Sequence, residues 1–367
     1  SPYLCEFDRL RQDRINLLKK ASWRFKNVDA INNFYKTHPK TLEFCKFMAL
    51  KEVNNYAEWQ AWTVFDIPKK EYYEWQFIEY EFFIQWAEIK NYANKKGVKI
   101  IGDIPIYVDA DSADVWANPT EFQLDKNNKP KLVAGVPPDY FCSDGQLWGN
   151  PVYDYEYLEK TNFEFWIKRV KHALSIYDYV RIDHFRGLDR YYEIAPTAIT
   201  AKEGEWIDVP SHKLFSALHK SIDKSRIIAE DLGIIDDGVR ELLKATEYPG
   251  MKVLCFAFNG ESDNLYLPQN IEENSICYTG THDNDTLIGF ISSLNDWDMN
   301  NLVNGVKDSA EKLGVEFNSQ DISETIIELG FSCKAKTFIL PFSDLLKKGT
   351  EYRINLPGVV REENWAV

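Results

Sequence analysis

Tyr177–Gly187 reads Y-D-Y-V-R-I-D-H-F-R-G, and the fold is decided by how this stretch is read. Tyr177, Tyr179, Val180 and Ile182 give its first half the apolar content of a buried strand. Its end carries Arg181, Asp183, His184 and Arg186, four groups that are costly to bury without partners. A strand that starts as core and ends in charge marks the mouth of an α/β fold, where catalytic groups commonly sit. For one such strand alone, a core ion pair between Asp183 and an arginine is the simpler explanation. The chain repeats the arrangement, and repetition favours a site.

Upstream, Val98–Val108 is expected as the first strand, with Asp103 and Pro105 near its end. Downstream, strands are expected at Arg226–Ala229 (ending at Glu230 and Asp231), Met251–Phe258, Ile276–Thr279 (running into T-G-T-H-D-N-D) and Thr337–Pro341. Helices are expected at Asn162–Ser175, from an N-cap at Ser211 to about Asp223, at Asp236–Thr246, and near 297–313 and 321–329. The Pro/Gly/Asn/Asp-rich stretch Asp109–Pro151 reads as mostly loop.

Alternating helices and short apolar strands imply a parallel sheet. Polar or charged strand ends suggest a (β/α)8 TIM barrel with its site at the C-terminal face. Six strands are two too few, so the expectation is a barrel apparently missing its first two strands. Such a barrel would expose unpaired edges, and these residues alone are expected to be poorly soluble and inactive.

Residues 1–97 read as a helical subdomain inserted before the third barrel strand, and 98–367 as the catalytic barrel portion, including an active-site loop at 135–150. Within the helical part, Arg9–Ala21 and Lys40–Glu58 form helices, the second opened by Pro39. Glu71–Lys96 is the clearest helix: Trp75, Ile78, Phe82, Trp86, Ile89 and Ala93 form one apolar stripe, closed by Lys95, Lys96 and Gly97.

Composition narrows the partners. The 367 residues carry a net charge of −14, a field that repels nucleic acid and anionic membrane. Aromatic residues make up 14%, enough to fill a core and also to line a sugar cleft. The six cysteines show no C-x-x-C spacing and read as reduced, in a cytoplasmic protein. No signal peptide opens the chain, and no apolar run is long enough to span a bilayer.

Three carboxylates end three strands: Asp183, Glu230 and Asp283. Each has a structural alternative: an ion pair for Asp183, a helix cap for Glu230 with Asp231, a turn or N-cap for Asp283 with Asp285. Jointly these require three unrelated coincidences. Converging carboxylates suit glycoside chemistry, one attacking or stabilising the anomeric carbon and another protonating the leaving oxygen. Arg181, two residues before Asp183, projects to the same side and can keep a nucleophile ionised. His184 and His282 beside the aspartates raise a metal site as an alternative, but no H-x-H or H-E-x-x-H pair occurs. In G-V-P-P-D-Y-F-C-S-D-G-Q-L-W-G-N (135–150), Tyr140, Phe141 and Trp148 are either anchors of the loop or a lid over a cleft.

The motifs G-D-I-P-I-Y-V with D-S-A-D-V-W, G-V-P-P-D-Y-F with W-G-N-P, V-R-I-D-H-F-R-G, A-E-D-L-G, P-G-M-K-V-L, T-G-T-H-D-N-D-T and R-I-N-L-P-G resemble the amylomaltases. These are 4-α-glucanotransferases, or disproportionating enzymes, of glycoside hydrolase family 77 in the α-amylase clan. The resemblance runs from about residue 98 to the end. It implies Asp183 as nucleophile, Glu230 as general acid/base and Asp283 as transition-state stabiliser. It further implies that Arg181 orients the nucleophile and that Asp103, His184 and His282 bind the sugar. Tyr140, Phe141, Gln146 and Trp148 match the family's active-site loop, and Asn355 a cleft residue. The sequence departs from the family at Leu4-Cys5-Glu6 after Ser1-Pro2-Tyr3 and at Ser343, where glutamine is usual. It also stops short of the family's last helix.

The expected function is transfer of an α-1,4-glucan segment to the 4-hydroxyl of glucose or another maltooligosaccharide, by a retaining double displacement without a cofactor. The substrates would be maltooligosaccharides, amylose or related α-1,4-glucans. The alternatives are an α-glucan hydrolase with the same carboxylates, a non-catalytic glucan-binding fragment, and a metal-dependent hydrolase.

Overall fold

The computed structural model describes residues 6–138, 143–233, 235–357, 359 and 361–366. They divide into two compact units. The first is Arg11–Ile227 with Asp236–Leu242, and the second is Ser1–Leu10, Ile228–Ile235 and Leu243–Val367.

Helices open the chain at Phe7–Ser22, Val28–Thr37, Thr41–Val53 and Lys69–Lys95; the second is additional to the three expected, and the third stops at Val53, short of Glu58. Asn27 caps the second of these by accepting from the Ala30 N–H at 3.2 Å. The long fourth helix ends in a Schellman motif. Gly97 turns left-handed at φ +79°, its N–H donates to the Asn94 carbonyl, and the Val98 N–H donates to Ala93.

Ile31, Tyr35, Cys45, Ala49, Trp75, Phe77 and Ile78 form the helical core. The expected stripe on Lys69–Lys95 is buried over its first half, at Trp75 and Ile78, whereas Phe82 and Ile89 stay exposed. The second half contributes specific contacts: the Trp86 Nε1–H donates to the Ile176 carbonyl at 3.0 Å, and its ring meets Tyr177 edge-on. The helix thereby holds the start of the segment that carries Asp183.

Ten strands lie among the described residues: β1 (Ile101–Ile104), β2 (Val133–Val136), β3 (Gln146–Pro151), β4 (Tyr179–Ile182), β5 (Arg190–Ile194), β6 (Gly204–Asp208), β7 (Ile227–Ala229), β8 (Gly250–Val253), β9 (Ser275–Tyr278) and β10 (Thr337–Ile339). The six expected from the sequence are β1, β4, β7, β8, β9 and β10. In the first unit, β1 and β4 pair in parallel with Asp103 abreast of Arg181. In the second unit, β8, β9 and β10 pair in parallel in the order β10-β9-β8. The protein is therefore mixed α/β. Among the described residues, hydrogen bonding does not join the strands into one closed ring.

Asp109–Pro151 is loop over most of its described length, as expected, but it also holds regular structure that its sequence does not announce. It contains a short helix (Ala113–Ala117) and strands β2 and β3. With β5 and β6 these form a four-stranded antiparallel sheet, β3-β2-β5-β6. The reason is long-range: V-A-G-V is bounded by partners on both sides, pairing with β3 and with β5, and lacks an alternating pattern of its own. Ser211 also departs from expectation. Pro210 occupies the N-cap of Ser211–His219, and the buried Ser211 hydroxyl donates instead to the Leu188 carbonyl at 2.7 Å.

Much of the aromatic excess is core. Trp166, Tyr153, Phe163 and Phe185 are fully buried. Tyr153 stacks on Phe122 and donates its hydroxyl to the Ile106 carbonyl at 2.6 Å, just beyond the end of β1. In the second unit, Val253, Leu254, Ile276, Cys277, Leu302, Val306 and Leu329 belong to one hydrophobic cluster. Cys45, Cys255, Cys277 and Cys333 are free thiols. Among the described residues no helix is long and apolar enough to cross a membrane.

Gly102 on β1 has a packing reason. A Cβ there would lie 2.0 Å from the Tyr177 ring, which is itself braced by Trp86. We expect Gly102→Ala to destabilise the protein by about 1–3 kcal/mol through overpacking, read as a lower urea midpoint at unchanged m.

Candidate active site

The end of β4 carries the first cluster. The Asp183 N–H still pairs with the Ile104 carbonyl of β1 at 3.0 Å, so its backbone is fixed by the sheet. Side chains two residues apart on a strand share a face, which puts Arg181 and Asp183 together. The Arg181 Nη2 donates to Asp183 Oδ1 at 2.8 Å. The same guanidinium forks onto Asp103 of β1, Nε to Oδ1 at 3.0 Å and Nη2 to Oδ2 at 2.8 Å. The cation is the buried member: the Arg181 side chain is 12% exposed, against 46% for Asp103 and 41% for Asp183. Asp183 is thus no core ion pair. It is an accessible carboxylate held from behind by a guanidinium.

His184 follows in the left-handed region at φ +50°, which swings its imidazole out of the strand. The Trp148 ring of β3 meets it edge-on at 4.9 Å, and the Trp148 Nε1–H donates to Gln146 Oε1 at 3.1 Å. Burial, and then the charge of Arg186, push the imidazole down from 6.5 to about 4. Among the residues expected at a site, Asp103, Gln146, Trp148, Arg181, Asp183 and His184 thus come together. Tyr140 and Phe141 lie outside the described residues.

The second unit holds Glu230 and Asp231 just past β7. The neighbouring carboxylates have opposite environments. Asp231 is buried, accepts from the Met251 N–H at 2.5 Å, and meets the Lys252 ammonium at 3.4 Å, fastening this turn to β8. Glu230 is partly exposed, with Oε1 accepting from the Leu232 N–H at 2.9 Å. Neither serves as a helix cap in these contacts.

The turn after β9 carries His282 and Asp283. Asn284 organises it by accepting from the Thr281 N–H and hydroxyl, and Thr286 caps the next helix, Leu287–Ser293. The turn and cap duties expected as the alternative for Asp283 are therefore performed by its neighbours. The Asn355 side-chain amide donates to Asp283 Oδ1 at 2.7 Å, and His282 Nε2 lies 3.4 Å from Oδ2. Sequence reasoning missed Arg353 and Trp365. Arg353 donates to the Asp283 carbonyl at 2.7 Å, and the Trp365 ring lies over His282 at 5.3 Å. Both are brought in across 70 or more residues of chain, and no local pattern announces them. It also missed the buried Asp344, which accepts from the Thr279 hydroxyl and the Leu287 N–H and so ties both ends of this turn.

Accessible carboxylates at the ends of parallel strands, one held by a guanidinium and one by an amide, suit an enzyme acting on glycosidic bonds. Comparison with known proteins gives the family. The family model described as "4-alpha-glucanotransferase", glycoside hydrolase family 77, matches residues 3–367, and the chain belongs to that family. It is 42% identical to the 4-alpha-glucanotransferase of Clostridium butyricum, covering 96% of this chain and 74% of that one. For the Aquifex aeolicus 4-alpha-glucanotransferase the identity is 39%, over 93% and 72%. Among solved structures, the Streptococcus agalactiae amylomaltase in complex with acarbose matches with a TM-score of 0.92 at 34% identity, over 100% of this chain and 76% of that one.

The His184 environment has a consequence for stability. The unfolded chain takes up this proton near 6.5 and the folded chain only near 4, so between these values the unfolded state binds more protons. His184 therefore contributes stability above pH 6.5 that is lost as pH falls towards 4. Replacing it by glutamine should flatten this part of the acid-dependent fall in urea midpoint.

Proposed function

We propose that this protein transfers an α-1,4-glucan segment from a donor to the 4-hydroxyl of glucose or a maltooligosaccharide, through a covalent glycosyl-enzyme. The observation that carries the reading is Asp183, accessible and hydrogen-bonded to Arg181 at the end of β4. A carboxylate beside a guanidinium is favoured as the anion, the form that attacks an anomeric carbon.

In the first step Asp183 bonds to C1 of the donor sugar, the C1–O4 bond breaks, and Glu230 gives its proton to the departing oxygen. In the second, Glu230 takes the proton of the acceptor's 4-hydroxyl as that oxygen attacks C1 and releases Asp183. Asp283 stabilises the positive charge on the sugar in both transition states. Asn355 fixes its carboxylate, and His282 and His184 donate to sugar hydroxyls with Asp103 accepting. These roles come from the family resemblance together with the local contacts of each residue. Both steps are carboxylate chemistry and call for no cofactor.

The parallel strands are read as part of a (β/α)8 barrel, with the helical residues 1–97 inserted into it. Trp148 would cover the glycosyl-enzyme and favour a sugar over water as acceptor, and the family resemblance assigns Tyr140, Phe141 and Gln146 to the same active-site loop. A cytoplasmic location fits the free thiols.

Product analysis on maltotriose tests the activity. Longer and shorter oligomers together are expected, and glucose with maltose alone would indicate hydrolysis. Asp183→Asn should lower turnover on the order of 10⁴-fold while leaving glucan binding largely intact. Comparable loss of binding would make Asp183 a substrate ligand instead. Trp148→Ala is expected to raise the ratio of hydrolysis to transfer, and an unchanged ratio with lower overall rate would reduce the loop to a binding surface.

A further inference from the structure

Arg186 lies in the 3-10 turn Phe185–Leu188 that follows Asp183 and His184. Its guanidinium lies over the Trp206 ring of β6, 4.1 Å from the centroid, and its Nη2 donates to Asp236 Oδ2 at 3.1 Å. The side chain is 12% exposed, so the contact is largely shielded from water. Trp206 faces Tyr192 across the β5–β6 pair, ring centroids 5.2 Å apart. It packs on a small separate core of Val133, Tyr192, Ile194 and Ala201.

That core reaches the β2–β3 hairpin through Ala201. The buried Ala201 donates its N–H to the Asp144 carbonyl at 2.9 Å, and Lys202 forms an ion pair with the Asp144 side chain. Gly145, left-handed at φ +66°, comes so close that a Cβ on it would meet the Ala201 methyl at 2.8 Å. Asp144 and Gly145 lead directly into Gln146 and Trp148 of β3. The hairpin is thus tied to the segment carrying Asp183 at two points. One is Trp148 on His184, and the other runs from Asp144 and Ala201 through Trp206 to Arg186.

We propose that Arg186 is a positioning residue for the transfer reaction: by holding Trp206, it fixes the antiparallel sheet on the turn behind Asp183 and sets how closely Trp148 covers the glycosyl-enzyme. This rests on the roles given above to Asp183 and to the loop. An arginine is required because a planar guanidinium stacks on an indole face while donating in its own plane to a carboxylate. A lysine ammonium has no such plane. Weakening the stack lets water compete with the sugar acceptor without removing any group that touches substrate.

The test compares Arg186→Lys, Trp206→Leu and the double variant with the unaltered protein. Transfer and hydrolysis products from maltotriose are measured together with deuterium uptake of peptides spanning 143–151 and 190–208. Each single variant is expected to raise the hydrolysis-to-transfer ratio roughly three- to tenfold, the size of a shielded cation–π contact. Uptake in both peptides should rise too, and the double variant should add little, because one interaction has been removed twice. Trp206→Phe keeps a ring and should fall between, which preserves the test if Trp206→Leu does not fold. Higher uptake with an unchanged ratio would overturn the proposal and leave Arg186 a structural contact. Additive changes in the ratio would overturn it as well. If the unaltered protein shows no transfer at all, the proposed function fails first, and the inference with it.

Discussion

Three charged groups on two neighbouring strands organise the first unit: Asp103 on β1, Arg181 on β4, and Asp183 just beyond it. The parallel register puts Asp103 abreast of Arg181, and the two-residue period of a strand puts Asp183 on the same face. A buried guanidinium needs its donors filled, and the fork onto Asp103 fills two of them in one plane. The remaining bond to Asp183 is then directed by geometry already fixed, so the aspartate needs no burial of its own. The surroundings serve this arrangement. Gly102 admits the Tyr177 ring, Trp86 braces that ring from the long helix, and Tyr153 with Arg169 binds the Ile106 carbonyl where β1 leaves the sheet.

The same economy of roles recurs in the second unit. At each turn, residues other than the candidate carboxylate do the structural work. Asp231 is buried and fastened to β8, while Glu230 stays partly exposed. Asn284, Thr286 and Asp344 shape and tether the turn after β9, leaving the Asp283 carboxylate to Asn355 and His282. A turn carrying its own acceptors and caps does not depend on substrate to take its shape, the condition for groups that must meet a short-lived charge without rearranging.

What was legible in the sequence follows from which interactions are local. The six expected strands could be read because each is a short apolar run and all but one are stopped by a charged or polar group, a pattern contained in under a dozen residues. The antiparallel sheet could not. Strand β3, Q-L-W-G-N-P, is mostly polar or turn-forming, and it is a strand because β2 pairs with it. The helix stripe was half right, since periodicity gives a face but not what covers it: Trp75 meets a core and Ile89 meets solvent. At the site, Arg181 with Asp183 followed from strand geometry alone. Its fork onto Asp103 needed the register of β1 against β4, and the Asn355–Asp283 contact needed a chain separation of 72 residues. Motif resemblance, not periodicity, pointed to those partners.

The aromatic content posed a question that composition left open, and the answer differs by location. Trp166, Tyr153 and Phe185 are core. The tryptophans beside the charged motifs instead contact ionisable groups: Trp148 meets His184, Trp206 lies under Arg186, and Trp365 lies over His282. In each pairing an indole restricts the orientation of an imidazole or guanidinium without accepting a hydrogen bond from it. That leaves the polar atoms of the partner available elsewhere: Arg186 to Asp236, and the His282 Nε2 beside Asp283. A carboxylate in the same position would also hold the ring or the guanidinium, but it would add charge beside groups whose charge matters. Indole rings orient while adding no net charge, and this explains why a protein so rich in acidic residues uses tryptophan at these three positions.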